Sequence, residues 1–476
     1  MYIDSPGWLD RPRSSSAVAN CRSLHGLLLS TTPDDSARSA AGRFLRDALE
    51  QAQTQPCPLP QTPLELFGWM QANTQAVHAA YREYLDSRKA GASRRFFSNR
   101  AHALYFLRAV APTKLVDGAW LYGLVEHWRN PRFADLVRTY AEELGDGDPA
   151  GNHVLLYRSL LARHGLEHID DLPDEMYRQG ALQLALGWNA QEFLPEIIGF
   201  NLGYEQLPLH LLVTAYELNE LGIDPFYFTV HATVDNADTG HARRACQAVL
   251  DTLPHLADGG AFWARVRDGS KLADAGLGTL AVIAGFDIDR EVLRVFARKG
   301  VAGSGAHSDY CRVAGRSINE WLSAPGDLPA FRQALQDAGW IRRGEPVANS
   351  RFWGLLQGPR AAMSGVFSGY ELQLVHDWIR GEASADGRSY LDAGHAPEGA
   401  KVPSFRAASR RQQSLGDVRG AADLLDPDLD SFKARLAGLD AGGRARAIVE
   451  AMSPVHHWTP MGLHATRLFC EAQARA

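Results

Sequence analysis

The sequence predicts an all-α protein, and three observations carry that expectation. Apolar residues recur at steps of three and four through most of the chain. Clusters rich in Gly and Pro separate these runs, and no alternating apolar and polar stretch of useful length appears. At 476 residues the chain is too long for one small core, so two compact units, or one core with large extensions, are expected.

Residues 1 to about 35 are rich in Ser, Pro and Asp without periodicity, and "QTQPCPLPQTP" interrupts the chain again. The first 63 residues therefore read as an arm with one helix, "DSARSAAGRFLRDALEQA". From Leu64 the period is helical through "LELFGWMQANTQAVHAAYREYLDSRKA" and "RAHALYFLRAVAPTKLVDGAWLYGLVEHW", with a break at Pro112. "RFADLVRTYAEEL" stops at Gly145, where "GDGDPAGN" turns the chain into "HVLLYRSLLARHG". "QEFLPEIIGFNLGYEQL", "HLLVTAYELNELG" and "FYFTVHATVDNADTGHARRAC" follow. After about residue 258 helical runs alternate with loops rich in Gly, Ser and Pro. This sets expected units of 64–258 and 259–476, the latter mostly helical. In "MSPVHHWTPMGLHATRLF", Trp458 and Pro460 mark the start of a packed C-terminal helix.

Hydrophobic residues at 45% and charged residues at 22% are ordinary for a globular protein that folds unaided. A formal charge of −6 gives no electrostatic reason to expect nucleic acid or an anionic membrane as partner. Five dispersed cysteines argue against a disulfide framework and a thiolate zinc site. No signal peptide and no apolar run of the roughly 18 residues that a membrane span needs are visible. A soluble, cytoplasmic protein is the expectation.

Residues 226 to 246 place His231, Asp235, Asp238 and His241 within one run. On a regular helix, Asp235 lies about 40° and Asp238 about −20° from His231, so three potential ligands share one face. His241 falls near about −80° and joins them only if the helix is distorted, which Gly240 eases. Small and aromatic flanks imply a helix packed on several sides, where buried carboxylates and imidazoles need partners that a cation or a polar network can provide. Glu143 closes one helix and His153 opens the next, so the hairpin between them could present both to a bundle interior. Glu196 and Glu205 are nine residues apart, so one straight helix cannot turn both to a common centre. Glu196, after Pro195, also suits a helix first turn.

This ordered set, with "EELGDG…NHVLLY", "PEIIGFNLGYE" and "HATVDNADTGHA", resembles the heme-oxygenase-like diiron oxidases, or iron-containing redox enzymes. The resemblance covers roughly residues 64 to 258 and implies a heme-oxygenase-like helical bundle whose core helices hold two irons. Carried over, Glu143 and His153 serve one iron, Glu196 or Glu205 bridges or chelates, and His231 and Asp235 complete the set. The final His of many members sits seven positions after the first, where this chain has Asp238; its own His comes three later, at His241. Asp117 could replace a further glutamate of some members, but it reads as a surface acid.

The resemblance implies an O2-dependent nonheme diiron oxidoreductase with two Fe(II) ions and O2 as cosubstrate. An external electron donor and a homodimer stay open. The mixed carboxylate and imidazole set suits iron or manganese better than zinc. N-oxygenation of a small amine or amino-acid-derived metabolite is the expected reaction. Oxidative decarboxylation, desaturation and C–C cleavage by the same centre, or a non-catalytic helical binding protein, are the alternatives.

Overall fold

The computed structural model describes residues 20–234, 240–255, 258–358, 361–392 and 426–475. Among them the protein is all-α in class. Its one sheet is a two-stranded antiparallel hairpin, pairing Arg312 with Ser317 and Val313 with Arg316.

Two helices, Cys21–Leu28 and Asp35–Ala52, precede the long Leu66–Lys89 helix. The first lies in a stretch that shows no periodicity, because eight residues are too few to display one. It forms because the Asn20 side chain accepts from the Arg22 and Ser23 amides and because Leu24 and Leu28 are fully buried. The run around Pro112 resolves into Arg100–Ala109, the single turn Ala111–Lys114 and a 3-10 segment, Ala119–His127.

The next helices are Ala134–Glu143, His153–His164, Arg178–Trp188, Leu194–Tyr204, Leu209–Glu220 and Phe226–Val234. A new helix, His241–Thr252, then starts at Gly240, and Gly259–Lys271 follows. Residues 226 to 246 therefore do not form one regular helix: two helices flank residues 235–239, which lie outside the described residues. Gly259–Lys271 crosses Leu194–Tyr204 at backbone contact. A methyl group on Gly199 would meet the Val266 carbonyl oxygen at 1.9 Å, and one on Gly269 would meet that of Glu196 at 2.3 Å.

Three apolar clusters form the core. The first joins Leu24, Trp120, Tyr140 and Phe200 to Met452 and Phe469, so the helices Ala441–Ala451 and Pro460–Ala474 share a core with the N-terminal ones. The second centres on Phe106, Tyr157, Tyr227 and Phe228, and the third on Phe296, Trp353 and Trp378. Glu217, fully buried, ties elements together as an acceptor. Its carboxylate takes the Tyr84 hydroxyl at 2.8 Å and the amides of Phe96 and Phe97 at 3.0 and 2.9 Å.

Two buried imidazoles, His25 and His102, make the fold sensitive to acid. His25 donates from Nε2 to the Pro112 carbonyl at 3.0 Å, and His102 from Nε2 to that of Ile283 at 2.8 Å. Burial pushes each pKa down, from 6.5 to about 4. The unfolded chain therefore binds these protons before the folded one does. Their neutral forms support the fold fully above about pH 6.5, and that support is lost as pH falls toward 4. The urea midpoint is expected to drop between pH 7.5 and pH 5 by the equivalent of roughly 2 kcal/mol per imidazole. His102→Gln should flatten the profile when the midpoint is followed by circular dichroism; an unchanged slope would reject the assignment.

Candidate metal centre

Five side chains nominated from the sequence, Glu143, His153, Glu205, His231 and His241, come together in the bundle interior, all buried. They form two groups. Asp117, Glu143, His153 and His231 make one, and Glu143, Glu205 and His241 the other; donor atoms within each lie within 4.8 Å of one another. Glu143 belongs to both. Glu196 does not join them: it sits in the first turn of its helix and is ion-paired with Arg265 at 2.6 Å. Asp235 and Asp238 lie outside the described residues.

Glu143 and His153 meet because the chain between their helices reverses tightly. Leu144 and Asn152 pair as an antiparallel bridge, and Gly145, Asp146 and Gly147 take φ values of 64°, 53° and 84°. A side chain on Gly145 would strike the Asn152 amide nitrogen at 2.4 Å. Asn152 caps the second helix by accepting from the Leu155 amide, and its side-chain amide lies 3.3 Å from both Nδ1 and the carbonyl oxygen of His457. The C-terminal helix closes over the turn: Arg467 donates to the Gly147 carbonyl at 2.8 Å, and Arg138 grips Asp146 with two bonds of 2.8 Å. Tyr140, one helical turn before the pair, donates to the Met452 carbonyl at 2.6 Å.

Asp117, expected on the surface, is buried against these groups. The preceding helical turn stops at Lys114 and Gly118 takes a left-handed φ of 80°, so helical phase no longer decides where Asp117 points. Its Oδ2 accepts from the Tyr227 hydroxyl at 2.6 Å and lies 3.1 Å from His231 Nε2.

The hydrogen bonds behind the donors define which atoms face inward. His231 donates from Nδ1 to the Tyr227 carbonyl at 2.7 Å, which leaves the Nε2 lone pair toward Asp117. His241 donates from Nε2 to Glu142 at 2.9 Å, and Glu142 is held in turn by Arg138 and Arg244. The Nδ1 lone pair of His241 then faces Glu205 Oε2 at 3.1 Å and Glu143 Oε1 at 3.3 Å. His153 Nδ1 meets Glu143 Oε2 at 2.5 Å. Acceptors aimed at acceptors in a dry interior require positive charge between them, as protons or as a metal ion. An imidazole whose outer N–H is anchored to a carbonyl or carboxylate is the usual arrangement of a ligand. The residues thus fit a cation of the oxygen- and nitrogen-preferring kind, iron included. Burial opposes ionisation of Glu143, yet His153 and His241 hold its carboxyl well below the usual range. Burial likewise disfavours the imidazolium of His153, which Glu143 raises instead.

The comparison with known proteins agrees with this geometry. Residues 104–273 match the model of the iron-containing redox enzyme family. The matched stretch starts before Asp117 and ends after His241, so it contains every described member of both groups. No curated protein and no solved structure matches the chain. The family match and the buried carboxylate and imidazole groups together support a metal-binding oxidoreductase of heme-oxygenase-like fold. No helix among the described residues is long and apolar enough to cross a membrane.

A cavity of about 350 Å³ opens beside the groups, lined by Asp117, Glu143, Glu205 and His231 on one side and by apolar side chains such as Phe106, Leu211 and Phe228. Sequence reasoning missed three contributors: Glu142, Tyr227 and the buried role of Asp117. The available signal for Asp117 was its place as the lone acid of the otherwise apolar "LVDGAWLYGLV"; no comparable signal marks Glu142, which is one of two adjacent acids.

After anaerobic ferrous loading, His231→Ala and His241→Ala are each expected to retain at least one iron fewer per chain than the parent protein. Glu196→Ala should keep the full complement while losing no more than about 1 kcal/mol of stability, because the Arg265 guanidinium it releases is half-exposed and can be solvated. Iron analysis beside thermal unfolding reads both. Full iron in His241→Ala would remove that residue from the set.

Proposed function

We propose that the protein is an O2-dependent diiron oxidase that N-oxygenates a small amine or amino-acid-derived metabolite. The observation that carries this reading is Glu143, shared by two groups of donors whose atoms lie within 4.8 Å of one another. One carboxylate common to two such groups suits a pair of cations better than a single one. Asp117, His153 and His231 would hold one Fe(II), Glu205 and His241 the other, with Glu143 between them. Bound there, two ferrous ions would supply the electrons with which O2 is activated.

The remaining work belongs to the chain. Tyr227 fixes Asp117 through its hydroxyl and His231 through its carbonyl oxygen, so one residue orients two donors of the same group. Glu142, neutralised by Arg138 and Arg244, orients His241 in the same way. Apolar walls of the adjoining cavity limit water at the reacting centre. Overall, an amine, O2, two electrons and two protons give a hydroxylamine and water. The two electrons would be supplied by the bound metal and replaced by an external donor.

Aerobic turnover of iron-loaded protein with 18O2 and a panel of amines and amino acids is expected to yield products with one labelled oxygen on nitrogen, read by mass spectrometry. Chain-shortened or dehydrogenated products without added oxygen would replace N-oxygenation by decarboxylation, C–C cleavage or desaturation. Absence of O2 consumption in iron-loaded protein would leave a binding protein.

A further inference from the structure

The cavity beside the donor groups carries a cation that the proposed metal centre does not use. Lys114 ends the Ala111–Lys114 turn and lines the cavity together with Asp117 and His231. Among the described residues, its ammonium makes one hydrogen bond, to the Tyr204 hydroxyl at 3.3 Å, and stands 5.3 and 5.9 Å from the ring centres of Tyr204 and Tyr227. An ammonium has three N–H groups to place. No described carboxylate comes within ion-pair distance of it. Lys114 is also the sole Lys or Arg among the described residues that line this cavity. His210, on the same wall, is kept neutral because burial pushes its pKa down to about 4. Burial opposes the charge on Lys114 too, but Asp117 and Tyr204 hold its pKa above the ordinary lysine value.

A cation placed this way faces a space with apolar walls, with spare donors and with the metal-ligand candidates Asp117, Glu143, Glu205 and His231 lining the same cavity. That is the arrangement of an anchor for an anionic end of a small molecule. One lysine with tyrosine neighbours suits a single carboxylate. A phosphate group, with its higher charge, draws on clustered arginines or several backbone amides. We infer that Lys114 binds the carboxylate of the substrate and thereby turns the other end of the molecule toward the Asp117–Glu143 side of the cavity. This inference rests on the proposed function and narrows it: among amines, the substrate is an amino acid or another amine that bears a carboxylate.

The test uses iron-loaded protein without O2, so that binding is read apart from turnover. Hexanoate, hexylamine and L-norleucine are titrated by calorimetry into the parent protein and into Lys114→Met, with iron content and circular dichroism measured on each sample. Hexanoate and norleucine are expected to bind the parent more tightly than hexylamine does. Lys114→Met should weaken both by on the order of tenfold or more while keeping its iron. If Lys114→Met does not fold, Lys114→Gln, which keeps a donor for Tyr204, carries the same comparison. Hexanoate binding that is unchanged in the iron-replete variant would mean that the carboxylate goes to the metal and would overturn the inference. So would tighter binding of hexylamine, or no binding of any probe to the parent. The two readings fail separately: carboxylate binding that depends on Lys114 without labelled product from 18O2 leaves the anchor standing and removes N-oxygenation, and labelled product from amines without a carboxylate does the reverse.

Discussion

Imidazole lone pairs and ionised carboxylates cannot face one another in an apolar interior unless positive charge lies between them. The centre of this bundle is built around that constraint. His231 and His241 each commit one ring nitrogen to an outer acceptor, so the other is left as a lone pair among Asp117, Glu143 and Glu205. A proton can satisfy part of such a cluster, since Glu143 is held ionised and raises the pKa of the His153 imidazole beside it. The packing of the chain alone brings these donors within 4.8 Å of one another in each group. The cost is a core that gathers several like charges at one point, and the nearby Arg138 and Arg244 soften it through Glu142.

Rigid backbone makes this arrangement specific. Gly199 and Gly269 let Gly259–Lys271 lie on Leu194–Tyr204 at backbone contact, which fixes the helix whose C-terminal end delivers Glu205. The same helix sends Glu196 the other way, to Arg265. Two acids of one helix thus divide between a structural ion pair and the interior, as their nine-residue separation requires.

The helical class, most helix positions and the meeting of Glu143 with His153 were legible in the sequence, because apolar periodicity and a Gly- and Asp-rich turn are local signals. His231 was legible for the same reason. Features set by breaks in the helices were not. Asp117 is buried because a 3-10 turn around Gly118 replaces the helix that would have put it outside, and His241 arrives by opening a separate helix at Gly240. Helical phase carries no information across either break. The partners of the donors, Tyr227 and Glu142, are contacts between distant segments, and nothing in their own neighbourhoods distinguishes them from ordinary core and surface residues.

The clamp on the 144–152 turn has a consequence for the order in which the protein is made. Arg467, which holds the Gly147 carbonyl, is synthesised 320 residues after it, and His457 and Met452 come almost as late. A nascent chain can assemble the central helices well before residues 452–467 are made, but the hairpin that joins Glu143 to His153 acquires its cover only when they emerge. A chain cut before residue 452 would leave the Glu143–His153 hairpin without this cover and the donor groups half-built.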